Sequence, residues 1–302
     1  MERSKSALDP AVIDKLQSLS LAARHVVEGF MSGHHRSPHR GSSVEFAQHR
    51  EYVPGDELRR VDWKVYARSE RLVVKEFVEE TNLTCYVLLD ASESMAYGSG
   101  DWTKLDYARW TAAAIAHLVL TQRDTAGLVV FDEKHRLEVP SGNGGATRKS
   151  IIDTLEQVEP SGPTAIGSIL SSIVPRLKRR GIVCIFSDFF DDVDEVIAGV
   201  RRLQHRGHEP ILFQVLDDAE IEFPFDSFLK LQGLEGMGDV KVDPKAIRAA
   251  YLEEMRDHNE KLARMARASN VDYVLLNTKE PLDAALSTYL AHRVTRLRGG
   301  SR

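Results

Sequence analysis

Two continuous apolar runs, Cys85-Tyr86-Val87-Leu88-Leu89-Asp90 and Gly181-Ile182-Val183-Cys184-Ile185-Phe186-Ser187-Asp188, each end in an acid. A strand that is apolar at every position has no solvated face, so it belongs inside a parallel sheet with helices on both sides. Further strands are predicted at Gly127–Phe131, Pro210–Leu216 and Asp272–Leu276, with Arg136–Val139 as a hairpin partner of the first. Helical spacing falls between them, over Lys104–Thr121, Thr147–Gln157, Ala165–Lys178, Val193–Gln204, Pro244–Ala268 and near Pro281–Arg293. Residues 217–243 read as a turn-rich excursion with short strands around Phe228–Leu231 and Val240–Val242. The alternation predicts an α/β fold, a doubly wound, mostly parallel sheet with helices on both faces.

Upstream the rhythm differs. Residues 7–31 carry Ile13, Leu16, Leu19, Val26, Val27 and Phe30 at helical spacing, and Ser32 to Ser43 is a polar loop holding His34, His35 and His39. A solvated loop is the simpler reading of these histidines, since no fixed ligand spacing is completed elsewhere. Residues 44–81 read as short extended pieces and turns, with a strand at Arg71–Phe77. Around Trp63 lie Asp56, Arg59, Arg60, Asp62, Lys64 and Arg68, read first as ion pairs and an aromatic anchor docking this segment on the sheet, and alternatively as an additional recognition surface. The expected organisation is an N-terminal helix-and-strand extension over 1–81, the α/β domain over 82–293 and a flexible tail over 294–302.

Composition excludes several classes. Of 302 residues, 40 are Lys or Arg and 45 are Asp or Glu, a net charge of −5 that argues against a general nucleic-acid binder. Two cysteines exclude a disulfide scaffold and a four-cysteine zinc site. Both lie within strand-like runs and read as small buried hydrophobes. No stretch approaches the roughly 20 apolar residues of a membrane span, and no secretory signal is read in Met1–Arg24. A cytoplasmic protein is expected.

In a doubly wound sheet, ligands collect at the carboxyl ends of the strands. Three features fall at such ends: Asp90-Ala91-Ser92-Glu93-Ser94, the loop Ser161-Gly162-Pro163-Thr164, and Asp188. Taken singly, Thr164 reads equally as a helix cap and Asp188 as a turn acid. Together, two carboxylates and three hydroxyls make a hard oxygen set suited to Mg²⁺ or Mn²⁺.

Asp90-x-Ser92-x-Ser94 with Thr164 and Asp188 resembles the metal-ion-dependent adhesion site of von Willebrand factor A domains. The likeness spans roughly residues 82–292. It implies that Asp90, Ser92, Ser94, Thr164 and Asp188 surround a cation, directly or through water, and that an Asp or Glu of a partner protein takes the remaining position. Glu45-Phe46, Arg50-x-Tyr52, Gly55-Asp56, Arg59, Val61-Asp62-Trp63 and Ala67-Arg68 are similar to the bacterial domain-of-unknown-function 58 proteins. Such proteins are often encoded beside an AAA-type ATPase of the MoxR kind, which the resemblance implies as a partner.

Enzymatic alternatives lack residues. An aspartyl phosphatase needs a second acid two positions after the first, where this chain has Ser92. No phosphate-binding G-x-x-x-x-G-K-[ST] and no G-x-S-x-G elbow occurs; Gly142-Asn143-Gly144-Gly145 reads as a flexible turn, and His117 as a core histidine. The expectation is a non-enzymatic, cation-dependent protein-interaction module. A metal-dependent phosphohydrolase using the same cation is one alternative, and an empty site in a purely structural domain is another.

Overall fold

A computed structural model describes residues 10, 19–33, 45–53, 61–78, 83–226, 229–231 and 240–299. The chain is organised by a six-stranded sheet. Its strands are β3 (Thr84–Asp90), β4 (Thr125–Phe131), β5 (His135–Gly142), β6 (Ile182–Ser187), β7 (Glu209–Leu216) and β10 (Asp272–Asn277), in the order β10-β7-β6-β3-β4-β5. All neighbours are parallel except β5, which returns antiparallel along β4 as the hairpin pattern predicted.

Alternate strand residues feed two apolar layers. Cys85, Val87 and Leu89 of β3 pack with Cys184 and Phe186 of β6 beneath α3 (Lys104–Thr121), α4 (Gly144–Gln157) and α9 (Asp283–Gly299). Tyr86, Leu88, Val183 and Ile185 face the other way, against α5 (Ile166–Ile173), α6 (Val193–His205) and α8 (Pro244–Ala268). The two cysteines meet at 3.9 Å between sulfurs with no solvent exposure. Burial, and then the Cys85 thiol, push the Cys184 thiol well above its ordinary pKa, which keeps it protonated and unreactive.

The first described helix, α1 (Leu19–Gly33), does not stand apart from the sheet. Ala22, Ala23, Val26 and Val27 join the same apolar cluster as Ala112 and Ile115 of α3. Small residues on both helices allow close approach. Among the other described upstream residues, β1 (Glu45–Glu51) and β2 (Val73–Val78) form an antiparallel pair with α2 (Trp63–Ser69) between them.

That α2 is helical departs from the extended pieces predicted there. Asp62 caps it, its side chain accepting from the Lys64 and Val65 amides at 3.0 and 3.3 Å, and Glu70 closes it at φ 54°. Trp63 is not the buried anchor expected from its neighbours. It is 56% exposed and meets Tyr66 edge-on. The buried contact is made instead by Val61, bridged to Val74 of β2. The histidine loop and Asp56, Arg59 and Arg60 lie outside the described residues.

Three other differences have local causes. The helix predicted over Ala165–Lys178 ends as α5 at Ile173 and tightens to a 3₁₀ turn at Val174–Arg176, because Pro175 has no amide to continue the α ladder. Within the turn-rich excursion, α7 (Asp218–Glu222) forms on a capping box between Asp217 and Glu220; β8 (Leu229–Leu231) and β9 (Val240–Val242) follow as an antiparallel pair. Helix α9 runs to Gly299, through six residues expected to be a tail, since no breaker precedes that glycine.

Val26→Asp places an uncompensated charge in the α1–α3 seam. The stability of the whole chain is expected to fall by about 3 kcal/mol or more. Circular dichroism melting of the main transition measures this; an unchanged main transition would show that α1 folds apart from the sheet.

Candidate functional site

Strand β3 leads through α3 to β4 on one side, and the chain later returns to lay β6 on its other side. The order therefore reverses between β3 and β6, and Asp90 and Asp188 sit at the carboxyl ends of these two strands. The crevice at such a reversal is where open α/β sheets bind ligands.

Both carboxylates are fully buried. Asp90 Oδ1 accepts from the Ser92 amide at 2.9 Å, and its Oδ2 accepts from the Ser187 hydroxyl at 2.6 Å. The hydroxyls of Ser92 and Ser94 lie 3.0 Å apart. Two backbone bonds tie in the third loop: the Glu93 amide to Gly162 O at 2.9 Å and the Ser161 amide to Ala91 O at 2.8 Å. That loop places Thr164 just before α5, with its hydroxyl oxygen shut away from solvent. All five predicted residues thus lie near one switch point, Ser94 within a 3₁₀ turn (Glu93–Ala96) and the others at strand ends or in loops, three of them joined directly through Asp90 and the Ser92–Ser94 pair.

Beyond Asp188 the chain turns sharply. Phe189 adopts φ 57°, an uncommon conformation for a bulky residue, and its amide donates to Ser187 Oγ at 3.0 Å. The Asp188 carbonyl accepts from Gln214 of β7 at 2.9 Å. The Asp188 side chain is itself held by the Phe190 amide, which donates to its Oδ1 at 3.3 Å.

Two functional residues were not anticipated. Lys104, the first residue of α3, is only 1% exposed, and its ammonium donates to Asp188 Oδ2 and to Glu220 Oε1, both at 2.8 Å. Capping boxes hold both ends of this link. Thr103 and Asp106 fix the start of α3, and Asp217 and Glu220 fix the start of α7. The Asp217 amide donates to the other Glu220 oxygen at 2.8 Å, so Glu220 cannot swing freely. The sequence does hold a trace of Lys104's role: a cation in the first turn of a helix opposes the helix dipole, a local conflict that something else must compensate.

The electrostatics follow from burial. Loss of water, and next the Asp188 charge, push the Asp90 carboxyl from 3.8 up to about 7. For Lys104, burial pulls the pKa down, but Asp188 and Glu220 raise it above its ordinary value and the amine stays charged. Burial also raises Glu220, against the opposing pull of Lys104. One ammonium thus serves a neighbourhood containing three acids.

The donor set is chemically suited to a small hard cation. Every candidate ligand is oxygen, and two buried like charges on adjacent strands gain from a cation between them. Among the described residues no group of three or more His, Cys, Asp and Glu side chains gathers as a metal site, at this switch point or beyond it, so a cation here would rest on two acids and the hydroxyls; no helix is long and apolar enough to cross a membrane.

A mostly parallel six-stranded sheet covered by helices on both faces, with acids and hydroxyls at its switch point, defines an α/β domain. The chain belongs to the family described as "Protein of unknown function DUF58", which matches residues 48–261. Uncharacterized protein Rv1480 of Mycobacterium tuberculosis (strain ATCC 25618 / H37Rv) is 26% identical over 291 residues, 94% of this chain and 90% of that one. YeaD of Bacillus subtilis (strain 168) is 31% identical over 128 residues, 42% of this chain and 29% of that one. Among solved structures, the conserved hypothetical protein BatB from Bacteroides thetaiotaomicron is similar with TM-score 0.49 and 13% identity, over 72% of this chain and 99% of that one. The SpRpn10 VWA domain has TM-score 0.44 and 12% identity, over 69% and 95%.

Two substitutions separate the carboxylates. Asp188→Ala leaves a buried ammonium with one partner fewer and is expected to cost about 3–5 kcal/mol in denaturant unfolding. Asp90→Asn behaves oppositely. Because the folded pKa of Asp90 lies above its unfolded value of 3.8, ionisation costs stability as pH rises from about 4 to about 7. In EDTA, the stability gained by Asp90→Asn is therefore expected to be larger at pH 8 than at pH 5. Equal gains at both values would contradict a strained, buried carboxylate.

Proposed function

We propose that the chain is a protein-interaction module that works through a divalent cation rather than by catalysis. Asp90, Ser92, Ser94, Thr164 and Asp188 hold Mg²⁺ or Mn²⁺, and an Asp or Glu of the partner supplies a further oxygen. A cation held by two acids and neutral hydroxyls keeps enough Lewis acidity to bind an external carboxylate.

The observation that carries this reading is the convergence of Ser92, Ser94 and Asp90 at the switch point. The hydroxyls lie 3.0 Å apart directly beside a buried carboxylate that another buried acid disfavours. Ser94 is only half-buried, and Phe190, 38% exposed, follows Asp188. These give the site an open rim where a partner side chain can enter. Phosphohydrolysis has less support: the position two residues after Asp90 carries a hydroxyl paired with Ser94, not a general acid.

The partner class proposed for this family member is a MoxR-type AAA ATPase, with a role in assembling or maturing protein complexes. Capture of the purified ATPase on the immobilised chain tests both parts. Binding is expected in Mg²⁺ and is expected to weaken at least about tenfold in EDTA or in Ser92→Ala, the loss of one charge-assisted ligand contact. Ser92→Ala is preferred to Asp188→Ala because it leaves the Lys104 ion pair intact. Binding that survives both chelation and substitution would sink the metal bridge.

A further inference from the structure

A buried lysine shared between two acids invites the question of what its charge does so close to a cation site. The Lys104 ammonium touches Asp188, one of the proposed ligands, at 2.8 Å and is within 5.1 Å of the centre of the Phe190 ring. Glu220 draws the same ammonium from the other side, also at 2.8 Å. Glu220 is braced by its capping box and Lys104 by the start of α3, so the ammonium is held at a fixed place between the two carboxylates. Phe190, which it approaches through the ring face, is flanked in turn by the His258 ring at 5.9 Å.

We propose that Lys104 is a tethered cation that competes with the divalent ion for Asp188, and that Glu220 sets the strength of that competition by drawing the ammonium away. This inference rests on the reading of the strand-end cluster as a cation site. A positive charge fixed against one ligand lowers that carboxylate's capacity to neutralise a second cation. An acid on the far side of the ammonium restores part of the negative potential. The site is therefore tuned to weak intrinsic metal affinity. Stable occupancy then needs the partner's carboxylate, which couples metal binding to partner binding.

The sign of the effect separates this role from a purely structural one. If Lys104 only positioned Asp188, removing it would misplace a ligand and weaken metal binding. If it competes, removing it strengthens metal binding.

The test is isothermal titration of Mg²⁺, and separately Mn²⁺, into the metal-stripped full chain, without any partner. Lys104→Met is expected to bind the ion about tenfold more tightly than wild type, or better, for removal of one unit charge near a divalent one. Glu220→Gln, whose amide oxygen keeps one of the two former bonds, is expected to bind several-fold more weakly and carries the test alone if Lys104→Met does not fold. Ser92→Ala serves as the ligand control. Equal or weaker affinity in Lys104→Met, or unchanged affinity in Glu220→Gln, with Ser92-dependent binding intact, overturns the competition while leaving the cation site standing. Absence of Ser92-dependent heat in wild type and in Lys104→Met overturns both.

Discussion

Two acids at the ends of neighbouring parallel strands, both removed from water, are the constraint around which the rest is arranged. Charge of one sign cannot be buried twice in one place without compensation. The chain answers at Asp90 with the Ser92 amide and the Ser187 hydroxyl, and at Asp188 with the Lys104 ammonium. These answers draw in elements from across the fold. α3 supplies the lysine, α7 supplies Glu220, and β7 supplies Gln214 to the Asp188 carbonyl. The site is thus held by the same contacts that lock helices to the sheet.

The compensation is incomplete at Asp90. Hydrogen bonds lower the cost of its charge, yet burial, and next the Asp188 charge, still raise its pKa to about 7. Strongly perturbed carboxylates cluster at functional sites, and the oxygen donors at hand are of the type that suits a hard cation. Lys104 answers part of the same electrostatic demand, through Asp188 on one side and Glu220 on the other.

The fold was largely legible because its signals are local. α3 and α8 run over the residues their periodicity marked, and β3 and β6 deviate by a residue or two at their ends. Where the reading went astray, a cap or a long-range contact had overridden composition. α2 forms because Asp62 satisfies two backbone amides, and Trp63 points into solvent despite its aromatic bulk. α1 looked like part of a separate extension, but its alanine and valine stripe fits the alanine-rich face of α3. Periodicity marks an apolar face without naming what covers it.

For the site, sequence by itself determined the donor types and their placement after strands. Apolar runs ending in Asp90 and Asp188, with hydroxyls at Ser92, Ser94 and Thr164, sufficed for that, because strand ends and loops are encoded by neighbouring residues. Only the tertiary structure decided how the charge is balanced. Lys104 meets Asp188 across 84 positions of chain and Glu220 across 116, and an ion pair over such distances leaves no periodic mark. Electrostatic compensation depends on distance in space and on the exclusion of water, and both exist only once the sheet and its helices have closed over the site.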